Sequence, residues 1–204
     1  MSDAPGPVTE GRVSARQDRL ADAALIERSI GEPGCFALLF DRHAPAIYRY
    51  IARRLGPDAA DDLSSEVFLI AFQRRDRYDR ARPDARPWLY GIATNLISRR
   101  SRDEVRFLRA IARMSISPAA ESVADQVTQR VDAQALSGQL AAALARLPGP
   151  YRDTLLLVAS GLSHEEVAQA LGIPAGTVAS RLARARSKLR AALGGDNPAQ
   201  VREE

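Results

Sequence analysis

One cysteine, two histidines and an aromatic content of 5% leave 204 residues short of the side chains that usually carry metals, disulfides or catalysis. A single cysteine, Cys35, excludes an internal disulfide, and its neighbours Phe36, Leu38 and Leu39 mark it as a core residue. His43 and His164 are far apart in sequence and lack companion ligands, which argues against a metal. There is no Walker-type glycine loop, no nucleophile–base pairing and no carboxylate dyad, and the Gly172-Ile173-Pro174-Ala175-Gly176 stretch reads as a turn. The chain is therefore expected to be no enzyme and to need no cofactor. Long hydrophobic runs are missing as well: the longest, Leu155 to Ala159, is far too short to cross a bilayer, and the opening MSDAPGPVTEGRVSARQ has no apolar signal segment. A cytoplasmic, soluble protein with no membrane partner is the expectation.

What is present is helical. Apolar residues recur at helical spacing, strand alternation is nearly absent, and Ala, Leu and Arg are abundant, so the fold class is all-α. Helices are expected over about 19–30, 35–55 and 58–74, with Pro45 either kinking the second or sitting in its first turns and Asp58 capping the third. RRDRYDRARPDAR (74–86) is too charged to bury itself and reads as a loop, and Pro87 then opens a helix through Trp88, Leu89, Ile92, Leu96 and Ile97. Two small helical domains, 17–112 and 134–195, flank a flexible linker at 113–133, with 1–16 and 196–204 disordered. The 29 Lys+Arg exceed the 25 Asp+Glu by four, and from Val167 through Gly195 there is no acidic residue. Such polarisation suits a polyanionic partner.

The second domain carries the sharpest local pattern, LSHEEVAQALGIPAGTVASRLARARSKLRAAL from Leu162 to Leu193. Ser163 and Glu166 have capping-box spacing, Gly172 suits a left-handed helix end, and Pro174 opens a second helix by about Thr177. On that helix Val178, Leu182, Ala185, Leu189 and Leu193 share one face. Thr177, Arg181, Arg184 and Lys188 share another, so an apolar stripe that docks inward leaves cations pointing outward. This is a helix-turn-helix, and a DNA major groove admits such a helix. In the first domain, Tyr78, Trp88 and Tyr90 lie near Arg74, Arg75, Arg77, Arg80, Arg82, Arg99 and Arg100. Rings beside arginines suit unstacked bases better than a duplex, each stacked base typically contributing about 1–3 kcal/mol. Trp88 also fits a plain core anchor, and Tyr90 can equally be a packing residue.

Taken in order, DAADDLSSEVFLIAF, PWLYGIATNLISRR and LARLPGPYRDTLLLVASGLSHEEVAQALGIPAGTVASRLARARSKLR resemble bacterial sigma-70-type RNA polymerase sigma factors of the extracytoplasmic-function group, over most of residues 30–195. The resemblance implies that the first domain, region 2, binds the clamp coiled coil of the polymerase largest subunit and melts the minus-10 element. The second, region 4, would read the minus-35 element, with the polymerase flap as a further contact. It implies that Tyr78 lies in the loop that holds a flipped minus-10 base and that Asn95, in the IATN motif, hydrogen-bonds an extruded base; Trp88, Tyr90, Arg99 and Arg100 complete the minus-10 set. Flipping costs a few kcal/mol, so an amide that pairs with a base edge can select which base emerges.

By the same resemblance Asp61, Asp62, Glu66 and Phe68 meet the clamp. Their acids equally suit the first turns of a helix, and Ser64-Ser65 stands where the family often has an apolar residue and Gln. Thr177, Ser180, Arg181 and Arg184 are placed at the minus-35 groove, with Arg186 and Lys188 nearer the backbone. Ala179 stands where the family is commonly basic, which removes a guanine contact worth about 1–3 kcal/mol and implies a different minus-35 sequence. An anti-sigma factor is a further partner the resemblance allows. The competing reading is a free-standing helix-turn-helix regulator of duplex operators.

Overall fold

The computed structural model describes residues 20–115 and 126–194, so the expected disordered ends at 1–16 and 196–204 lie outside the described residues. Among the described residues there are nine α-helices and no strand: α1 (Asp22–Gly31), α2 (Phe36–Leu55), α3 (Pro57–Gln73), α4 (Arg86–Arg99), α5 (Ser101–Met114), α6 (Gln126–Arg146), α7 (Gly149–Ala159), α8 (His164–Leu171) and α9 (Ala175–Ala192).

Helix α2 shows why the sequence folds this way. Phe36, Leu39, His43, Ile47, Tyr50 and Arg54 are all buried and follow one another at three- and four-residue steps on one stripe, with buried Ile51 beside them. Pro45 lies inside this helix rather than in its first turn, on an exposed position. The α2–α3 junction corrects one expectation: Gly56 occupies the position before α3, Pro57 opens the helix, and Asp58 makes no capping bond. Gly56 is required there, because its φ is +93° and an added Cβ would lie 3.0 Å from the Phe107 ring.

The 74–85 segment is a loop held by polar contacts and by the burial of Tyr78 and Ala85. A short 3-10 turn spans Arg75–Arg77, and the Tyr78 hydroxyl then reaches the carbonyl oxygens of Arg82 (2.8 Å) and Asp84 (3.0 Å). Buried Asp22 accepts from the Ala85 amide at 2.9 Å and also engages His43 and Arg42. The expected linker at 113–133 is helical from Gln126 onward. The residues there are mostly good helix formers with no wide apolar stripe, and α6 is stabilised by pairing with α5, where Leu108 and Ala112 meet Ala141.

The two helical units do not hold separate cores. The apolar cluster of the first, built on Ile26, Leu39, Ile51, Leu63, Val67, Leu89 and Ile97, runs on without a break into Leu157, Leu162, Val167 and Val178 of the second. Each such side chain contributes about 1.5–3 kcal/mol when fully withdrawn from water. Helix α8 lies against α4 so closely that a Cβ added at Gly91 would stand 2.6 Å from the Ala170 carbonyl oxygen.

Beside this apolar seam runs a buried ionic one. Glu104 of α5 is 1% exposed and accepts from Arg54 Nε at 2.6 Å and from Arg152 Nη2 at 2.8 Å, while Arg54 also pairs with Asp153 of α7. The Tyr50 hydroxyl accepts from Arg54 at 2.6 Å and meets Thr94 at 2.8 Å. Burial would strip the proton from Arg54, but Tyr50, Glu104 and Asp153 outweigh it and keep the guanidinium charged; burial pushes the Asp153 carboxyl up, only partly offset by Arg54.

Candidate functional site

Helix α4 sorts the expected minus-10 residues onto two faces. Trp88, Ile92, Asn95 and Arg99 follow at steps of four, three and four, which puts them on one side of the helix. There Ile92, Asn95, Leu96, Ser98 and Arg99 join Ile70 and Arg74 at the end of α3 around a cavity of about 420 Å³. Asn95 is exposed, lines this cavity and makes no side-chain hydrogen bond to the described residues, so its donor and its acceptor are both left for solvent or a ligand. Arg74 and Arg99 flank it with positive charge. Arg100, exposed, ends the helix next to this face.

At the other end of the same face, the half-buried Trp88 ring lies 4.9 Å from the Tyr78 ring, tilted by 53°. Tyr78 is itself only 7% exposed and its hydroxyl is spent on the loop backbone. Burial and the nearby Asp22 and Asp84 carboxylates push its phenol up to about 12. Tyr78 thus fixes the loop and braces Trp88. Tyr90 is not brought to this strip. It is 3% exposed, its ring packs 5.0 Å from Tyr50, and it points to the opposite side of α4, where burial raises its phenol above the usual range.

The helix-turn-helix is built as its residues require. Ser163 Oγ accepts from the Glu166 amide at 3.2 Å while Glu166 accepts from the Ser163 amide at 2.6 Å, closing the capping box. Gly172 ends α8 at φ +63°, ψ +38°, and the Ile173 amide reaches back to the Ala168 carbonyl at 3.0 Å. Pro174 then sits just before α9, two residues earlier than the expected start. Val178, Leu182 and Ala185 are buried, leaving Ser180, Arg184, Arg186 and Lys188 exposed and Thr177 and Arg181 half-buried. Ser180 Oγ bonds the Thr177 carbonyl at 3.0 Å, so that hydroxyl is partly engaged within the helix. No arginine of α9 is paired with a carboxylate among the described residues.

The acidic helix α3 presents Asp61 and Asp62 exposed and Glu66 half-buried. Phe68, expected beside them as a contact, is 5% exposed and belongs to the core. The apolar surface there comes from residues the sequence reading passed over: Leu69 is 56% exposed, and Phe40 of α2, 45% exposed, lies with its ring 4.8 Å from that of Phe68.

His43, read as lacking companions, has two: Asp22, His43 and Asp84 each bring a ligand atom within 4.8 Å of the others. Those atoms are already engaged. Asp22 takes Arg42, His43 (2.8 Å) and the Ala85 amide, and Asp84 accepts from the Arg86 amide at 2.8 Å, so the donor set closes a loop onto α1 and does not suit a cation beside Arg42.

Comparison with known proteins follows the same division of the chain. The family model "Sigma-70 region 2" matches residues 39–113 and "Sigma-70, region 4" matches 137–189. The ECF RNA polymerase sigma factor SigW of Bacillus subtilis (strain 168) is 32% identical over 168 residues, 78% of this chain and 89% of SigW. SigL of Mycobacterium tuberculosis (strain ATCC 25618 / H37Rv), also named as an ECF RNA polymerase sigma factor, is 34% identical over 179 residues, 86% of this chain and 95% of SigL. Among solved structures, CnrH in complex with the cytosolic domain of CnrY superimposes with a TM-score of 0.59 at 26% identity, covering 86% of this chain and 99% of CnrH.

Proposed function

Because this chain belongs to the sigma-70 family, in its extracytoplasmic-function group, we propose that the α4 strip captures melted minus-10 bases while the cationic face of α9 reads the minus-35 duplex. The protein is a sigma factor: it binds RNA polymerase and recognises promoters, and the reading as a free-standing operator-binding regulator is not favoured. Sigma factors are non-enzymatic initiation factors. Bond-making belongs to the polymerase, and this chain's place of action is the cytoplasm, where that enzyme works.

The observation that carries the reading is the unpaired Asn95 amide at an arginine-flanked cavity. A base swung out of the stack offers the amide an edge to pair with, Trp88 offers a partly open ring, and Arg74, Arg99 and Arg100 attract the strand's phosphates. Tyr78 acts by holding the loop and bracing Trp88, and Tyr90 and Phe68 serve packing. On α9, Thr177, Ser180, Arg181 and Arg184 stand toward base edges, with Arg186 and Lys188 toward phosphates. Asp61, Asp62 and Glu66, with Phe40 and Leu69 as the apolar part, form the face for the polymerase clamp, and region 4 meets the flap. Residues 17–112 and 134–195 are the working units and 113–133 joins them. CnrH is seen with CnrY, and an anti-sigma factor of that kind is a partner proposed for this chain as well.

Run-off transcription with core polymerase tests the assignment. Asn95→Ala is expected to impair open-complex formation more than duplex binding; equal loss of both rejects base capture at this position.

A further inference from the structure

We propose that the cleft between the two helical units is a binding site for a phosphate-bearing ligand of nucleotide size. The cleft encloses about 740 Å³ and draws on both units. Helix α2 contributes Arg42, Arg49 and Arg53, α4 contributes Arg86 and Tyr90, and Ser160 at the end of α7 forms part of the far wall. It lies on the Tyr90 side of α4, away from the Asn95 cavity, and the sigma-factor reading makes no use of it.

Four arginines line it, against two carboxylates among the described residues, Asp22 and Asp84. Asp22 is already taken by Arg42, His43 and the Ala85 amide, and Asp84 by the Arg86 amide. Arg49 and Arg53 are exposed, one helical turn apart on the same face of α2, and neither has a carboxylate within 4.0 Å among the described residues. Arg86 and Tyr90 of α4 line the same cleft. Like charges held around one cleft repel, and an anion relieves that repulsion.

The two positive charges of Arg49 and Arg53, which no carboxylate among the described residues offsets, match a phosphate monoester, which carries about −1.5 to −2 at neutral pH, and guanidinium forks bind phosphate oxygens bidentately. A single carboxylate occupies one fork and leaves the others uncompensated. The volume falls within the roughly 300–1,000 Å³ typical of small-molecule sites and exceeds what one inorganic phosphate fills. Free nucleotides and consecutive phosphates of a single strand share this chemistry. In either case the occupant touches both units and adds to their docking.

The test is calorimetric titration of the full chain with three probes: a ribonucleoside triphosphate, inorganic phosphate, and a six-nucleotide single strand. Each is run on the wild type, on Arg49→Gln/Arg53→Gln, and on a charge-matched control, Arg106→Gln/Arg109→Gln on α5. Saturable triphosphate binding that raises the melting temperature and weakens about tenfold or more in the α2 variant alone supports the site with a free nucleotide as its source. The same pattern with the single strand alone supports it with the strand as source. No saturable binding of any probe, equal weakening in the control, or inorganic phosphate bound as tightly as the triphosphate overturns the proposal.

Discussion

Gly91 is an unlikely residue to find in the middle of α4, because glycine there costs the helix about 1 kcal/mol relative to alanine. Its reason lies across the seam, where an added Cβ would stand 2.6 Å from the Ala170 oxygen. Ordinary contact begins at 3.4 Å, so Gly91→Ala requires about 0.8 Å of retreat from a backbone carbonyl, which has no rotamer to change. That carbonyl can back away only by carrying α8 with it, and α8 holds the fully buried Val167. Overpacking of this kind costs about 1–3 kcal/mol. The substitution therefore acts in opposite directions on two links: the first unit gains about 1 kcal/mol of helix stability while its docking to the second weakens. Native-state hydrogen exchange reads both. Amides of α8 are expected to exchange roughly 5- to 150-fold faster, as 1.4 kcal/mol is tenfold, while those of α4 slow down or hold. A uniform slowing across both helices, with one raised melting transition, would refute the reasoning and show Gly91 to be replaceable.

Glu104→Ala strands Arg54 and Arg152 without their shared carboxylate in a dry site and is expected to cost about 3–5 kcal/mol by urea unfolding; a loss under 1 kcal/mol would mean that water reaches the seam. Arg184→Ala should weaken duplex minus-35 binding by about 1–3 kcal/mol and relax discrimination at the base it meets, and unchanged affinity and selectivity remove Arg184 from the base-reading face. Burial pushes the Asp22 carboxyl up, but bonds from His43, Ala85 and Arg42 outweigh it and hold it at about 2 against an ordinary 3.8. A carboxylate lowered in the folded state contributes stability above its unfolded pKa and loses it as pH falls. About 2 kcal/mol should therefore disappear between pH 4 and 2, and Asp22→Asn should remove that step from the acid unfolding profile.

The parts legible in the sequence are those decided locally. The capping box at Ser163 and Glu166, the left-handed Gly172 and the α9 stripe involve partners within one turn, and spacing alone places them. Helical spacing also held a finer answer on α4, since steps of four, three and four group Trp88, Asn95 and Arg99 and set Tyr90 on the other side. The ionic seam was invisible for the opposite reason. Arg54, Glu104 and Arg152 each look like ordinary surface charges, and their partners lie 48 to 99 residues away in the chain. Phe68 and Phe40 could not be sorted into core and surface without knowing how α2 lies on α3. The described part of α6 meets α5 mostly through small residues, Ala141, Ala142 and Ala145 beside Leu144, which print only a weak periodic pattern.

The docking of α8 on α4 also bears on length. Elements centred near minus 10 and minus 35 lie about 25 base pairs apart, or about 85 Å of duplex at 3.4 Å per step. A compact body of the 165 described residues has a radius of gyration near 15 Å and spans about 40 Å. If the two units read both elements as proposed, the docked molecule is shorter than the distance to be bridged, and promoter occupancy at both elements selects an extended form. If docking is worth about 3 kcal/mol, that form is under about 1% of the free protein, and its apparent promoter affinity falls by about 150-fold. The seam then works as a threshold on distance: a partner that holds the two units apart restores the reach that the folded chain withholds on its own.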